Sequence, residues 1–110
     1  MKYLGRVPDN EWKTLLQDHL DRADTFRVHV PDGEGPLSHG RAEFTALPQV
    51  EIRPWTGMRD ALEIEGPLTA AARDLFTATE NGELWDYALL REGTVILSVG
   101  DFHDLQIEPS

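Results

Sequence analysis

Asp101, His103 and Asp104 stand within four residues of one another in the segment "GDFHD", and Asp86 lies upstream of them. Carboxylates beside an imidazole suit a divalent cation, or a proton passed between acid and base. Whether these groups meet depends on strand phase. If the strand through Val99 runs on past Gly100 without a bulge, Asp101 lands diagonal to Asp86 on one face. His103 then shares that face and Asp104 points away. One extra residue at Gly100 would turn every later side chain over. Asp86, Asp101 and His103 are therefore the candidate metal or acid–base set. Weighed above it is an acidic turn on an acidic surface, since acidic residues at strand ends are ordinary turn chemistry. No cofactor is expected.

The other histidines offer little chemistry by spacing. His19 falls on the apolar stripe of a helix, His29 on the polar side of a strand, and His39 beside Ser38 in a loop with no evident third partner for a triad. There is no cysteine, which excludes disulfides, thiolate zinc sites and a cysteine nucleophile.

The last third of the chain must position the acidic residues. "ELWDYALLREGTVILSVGD" reads as two strands around a tight turn at Glu92–Gly93. A two-residue loop pairs Arg91 with Thr94, and counting back pairs Ala88 with Leu97, Tyr87 with Ser98 and Asp86 with Val99. Ala88, Leu90, Val95, Leu97 and Val99 then form the core face. Trp85, Tyr87, Leu89, Arg91, Thr94, Ile96 and Ser98 form a mixed face whose aromatic and arginine content resembles a protein contact patch.

Further back, Trp12, Leu15, Leu16, His19 and Leu20 repeat with helical spacing, and Asp9 or Asn10 can cap that helix. "TFRVHV" alternates, with Phe26, Val28 and Val30 on one side and Arg27 and His29 on the other. The glycine- and proline-rich "PDGEGPLSHG" reads as a loop without a phosphate-binding pattern. "RAEFTALPQVEIRPW" reads as two short strands broken at Pro48, and "ALEIEG" as a strand with Leu62 and Ile64 inward. A second helix is expected to start at Gly66–Pro67, carry Leu68, Ala71, Ala72, Leu75, Phe76 and Thr79 inward, and stop at Asn81–Gly82. "HDLQIE" closes the chain as a short strand. The expected fold is one α+β domain over residues 1–110: an antiparallel sheet of about six short strands with two helices packed on one face.

The chain carries a net charge of −10, unevenly spread. Lys and Arg number seven against nine Asp and Glu up to residue 55, and three against eleven beyond it. Such a surface repels phosphate backbones, so nucleic acid is not an expected partner. No apolar run reaches membrane-spanning length and no signal-peptide core opens the chain, so a cytoplasmic protein is expected. The functional expectation is a small, acidic, non-catalytic protein-binding module, of the immunity or inhibitor type, that masks a basic partner. Glu83, Trp85, Asp86, Tyr87, Glu92, Asp101 and Asp104 are its expected contact residues. The alternative is a small enzyme or divalent-metal-binding domain built on Asp86, Asp101 and His103. A homo-oligomer in which two copies of the mixed face meet is a third arrangement.

Overall fold

The computed structural model describes residues 2–6, 9–31, 41–56, 60–78, 86–100 and 104–107, with backbone alone for 2–6, 9–10, 31 and 104–107. Within these, the chain runs β1 (Lys2–Arg6), α1 (Asp9–Arg22), β2 (Thr25–Pro31), α2 (Arg41–Thr45), β3 (Glu51–Pro54), β4 (Ala61–Pro67), α3 (Ala70–Ala78), β5 (Asp86–Arg91), β6 (Thr94–Gly100) and β7 (Asp104–Ile107). The strands make one sheet in the order β1-β7-β6-β5-β2-β4-β3, and every pairing is antiparallel. The α+β expectation holds, with seven described strands rather than about six and three helices rather than two.

One face of the sheet is apolar because β2 and its neighbours alternate in phase. Phe26, Val28 and Ile64 are fully buried there, with Tyr87, Leu89, Leu97 and Val99 on β5 and β6. The helices cover this face. Trp12, Leu16 and Leu20 of α1, Phe44 of α2, and Ala72 and Phe76 of α3 join the same cluster. Phe76 is its hub, with ring centroids 5.8 Å from Phe26, 5.1 Å from Phe44 and 5.2 Å from Tyr87. His19 is packed as its spacing suggests: a ring nitrogen bonds the Leu15 carbonyl at 2.8 Å, within the helix.

Three expectations about elements fail. Arg41–Thr45 is a short helix, not a strand, and it delivers Phe44 into the cluster. Gly66 and Pro67 finish β4 opposite Phe26 and Thr25; α3 begins later, where the Thr69 hydroxyl accepts a bond from the Ala72 amide at 3.2 Å. Ala71, expected inward on α3, is exposed. Thr79 and Asn81–Gly82 lie outside the described residues.

The third failure is one of register. Glu92 and Gly93 both take positive φ, 51° and 81°, so the expected tight turn is there. Arg91 opposes Thr94 and Leu90 opposes Val95, but Leu89 then opposes Leu97, leaving Ile96 as an extra residue. This bulge inverts the expected faces of β5. Tyr87 and Leu89 point into the core, while Ala88, though buried like Leu90, shares its row with outward Arg27.

Gly66 is needed where it stands. A Cβ there would come 2.8 Å from Val50 Cγ1 and 3.2 Å from Val50 Cα. Gly66→Ala is expected to destabilise the fold by about 1–3 kcal/mol through overpacking against backbone. A urea midpoint equal to wild type would show that Val50 yields freely.

Candidate functional site

The opposite face of the sheet carries a row of charge. Arg53 of β3 pairs with Glu63 of β4, Glu63 with His29 of β2, and His29 with Asp86 of β5. Directly opposed residues share a face, so register alone assembles four charged groups in line. The backbone row continues beyond Asp86. A Cβ on Gly100 would lie 3.7 Å from Asp86 Oδ2, Gly100 opposes Asp104, and Asp104 opposes Arg6.

Side-chain bonds close the described part. Arg53 Nε donates to Glu63 Oε2 at 2.5 Å. His29 faces Glu63 Oε1 with Nε2 at 2.9 Å and Asp86 Oδ1 with Nδ1 at 2.8 Å. A parallel row supports it: Arg27 Nε donates to Glu65 Oε2 at 2.8 Å and lies 3.5 Å from Glu63, while Arg53 also reaches Glu65 at 3.4 Å and Glu51 at 3.1 Å. Trp55, just after β3, lies flat on the His29 ring at 4.0 Å and 9°.

Two carboxylates, which only accept, face both nitrogens of one imidazole. Both nitrogens can donate only in the cationic ring, so this geometry calls for an imidazolium. Burial works against that charge, but the hydrogen bonds and negative charges of Asp86 and Glu63 outweigh it and hold the His29 pKa above its ordinary 6.5. Burial likewise opposes ionisation of Glu63, and the bonds from His29 and Arg53 outweigh it, keeping its pKa below the ordinary 4.5. A ring so occupied offers no lone pair to a metal or to a substrate proton. The arrangement orders a surface; it does not present a base.

Of the sequence-derived candidates, Asp86, Tyr87, Glu92 and, by backbone alone, Asp104 fall among the described residues. Asp86 is half-buried with Oδ1 engaged by His29. Tyr87, expected as an exposed anchor, is 2% exposed against Trp12 and Phe76. Glu92 is exposed at the hairpin turn, where its amide donates to Asp24 Oδ2 at 2.8 Å. Glu83, Trp85, Asp101 and His103 lie outside the described residues. Among the described residues β6 ends at Gly100 and β7 begins at Asp104, the two pairing antiparallel. Asp104, expected to point away from Asp86, holds a register position in the Asp86 row. Among the described residues no cluster of three His, Cys, Asp or Glu side chains is arranged to hold a metal ion.

The residues that do converge, Arg53, Glu63, His29 and Trp55, went unnoticed as a set. Their signal was the outward alternation of opposite charges on three strands: Arg27 and His29, Glu51 and Arg53, Glu63 and Glu65. A groove of about 530 Å³, lined by Lys13, Thr14, Leu16, Gln17, Leu20 and Thr77 among others, belongs to the helical layer and shares no residue with this face. No helix among the described residues is long and apolar enough to cross a membrane. No protein-family model matches the chain, and no curated protein or solved structure is significantly similar to it.

Proposed function

We propose that this chain is a non-catalytic protein-binding module whose contact surface is the charged face of the sheet, and that its partner is basic. The carrying observation is the ion-paired ladder itself. Glu51, Glu63, Glu65 and Asp86 are held in place against Arg27, Arg53 and His29, with Trp55 stacked among them. Side chains already ordered lose little freedom on association, which lowers the entropic cost of binding. Among the described residues the four carboxylates of that face outnumber its three cationic groups, and the whole chain carries −10, so a cationic surface is its electrostatic complement. Arginine and tryptophan are the side chains that most often anchor such contacts. Masking a basic partner, as immunity and inhibitor proteins do, is the biological role this character suits.

The full chain, immobilised at low salt, is expected to capture a basic protein. Its Kd should weaken by about an order of magnitude or more as salt rises several-fold. Trp55→Ala and Glu51→Lys should each weaken binding further; the Glu51 side chain is 77% exposed, so its reversal leaves the core untouched. An affinity independent of ionic strength and of both substitutions overturns this reading.

A further inference from the structure

His29 joins three strands through one proton too many for a neutral ring. From β4 it faces Glu63, with Glu65 one row away; from β5, Asp86; from β3, Arg53 and Glu51 act through Glu63; and on β2 itself Arg27 lies 3.5 Å from Glu63. Trp55 covers its ring face. We propose that His29 is a proton-operated clasp on the binding face: charged, it ties β4 to β5 across β2 and seats Trp55; neutral, it releases Glu63 and the indole.

The direction of release follows from the partners. A neutral imidazole keeps one N–H, and its other nitrogen then turns a lone pair on a carboxylate oxygen within 3 Å, a repulsive contact. Glu63 has Arg53 and Arg27 to turn to, so the loss of its His29 bond is compensated. The remaining proton therefore stays on Nδ1, facing Asp86, and the Nε2–Glu63 bond opens. The stack on Trp55 weakens with it, because the ring face of an indole attracts a cation more than a neutral ring. That this alters binding rests on the reading above. Glu63 stays ion-paired with Arg53 and Arg27 when His29 lets go, so the carboxylates remain ordered while the face loses one positive charge, and affinity for a basic partner should rise as the proton leaves.

Imidazole and indole resonances of the ¹⁵N-labelled full chain, followed from about pH 5 to 9, test the clasp without any partner. The expected result is a His29 midpoint above 6.5, a neutral form protonated on Nδ1, and a Trp55 indole signal moving with the same midpoint. His29→Gln should abolish the Trp55 response. A midpoint at or below 6.5, a neutral form protonated on Nε2, or a Trp55 signal indifferent to His29 overturns the clasp. With a captured partner, Kd should fall by up to about tenfold per pH unit below the midpoint, the limit for one linked proton, and be flat in His29→Gln. A salt-dependent Kd that is flat in wild type sinks the gating and leaves the binding module standing. A titrating clasp with no salt-dependent partner does the reverse.

Discussion

Phe76→Ala is expected to lower the stability of the fold by about 3–5 kcal/mol, the range for truncating a buried phenylalanine. The ring is fully buried and contacts Phe26, Phe44 and Tyr87, which come from β2, α2 and β5. Its removal leaves a cavity lined by other rings, whose backbones belong to separate elements and cannot all close in. Domains of this kind unfold with about 5–15 kcal/mol in total, so a loss of this size removes a large share of the stability. Urea denaturation measures this directly. The midpoint should fall with little change in slope, since the surface exposed on unfolding is nearly the same. A loss below about 1.5 kcal/mol would mean that the helical layer repacks freely over the sheet.

Glu63→Gln is expected to be the most damaging change on the charged face, costing about 2–3 kcal/mol near pH 6, somewhat below the range for breaking a fully buried pair. The amide keeps the shape of the carboxylate but removes the negative charge that Arg53 and the His29 cation share, leaving Arg53 to Glu51 and Glu65 and His29 to Asp86. The loss should depend on pH. His29 has a raised folded pKa, so its contribution is complete below 6.5 and fades as pH rises through the folded value. Glu63 has a lowered folded pKa, so its contribution is complete above 4.5 and fades as pH falls through the folded value. Wild type should therefore gain most from this pair between about pH 4.5 and 6.5. The gap between wild type and Glu63→Gln should narrow in alkali, where the His29 bond is already open. A gap that stays constant from pH 6 to 9 would show that His29 does not change charge in that range.

Much of the scaffold was legible in residue order. The stripe Trp12, Leu16, Leu20 and the alternation Phe26, Val28, Val30 each state their period plainly, and both lie in the core. Glu92–Gly93 announced its turn by composition. The bulge did not announce itself, because Val95, Ile96 and Leu97 are all apolar and any of them could face inward. That single ambiguity moved Tyr87 from surface to core. Helix α2 was hidden for a related reason: Ala42, Phe44 and Ala46 alternate like a strand, and five residues are too few to display a helical period. The ladder was harder still. His29 was visible as an outward residue, but its partners lie 34 and 57 positions away and become neighbours only through the strand order. Side-chain chemistry assembled by register is unreadable until the pairing of strands is known.

The pairing of β1 with β7 has a consequence for how the chain reaches this state. Residues 2–6 form an outer strand of the sheet, and the neighbour they pair with is residues 104–107. During synthesis β1 emerges well before β7, the strand it pairs with among those described. Closing so long a loop is entropically costly, and contacts of this separation belong to slow, late steps. The charged ladder of β3, β4, β2 and β5 is contained within residues 25–91 and can form before that closure. The charged face can thus form before the β1–β7 edge of the sheet closes.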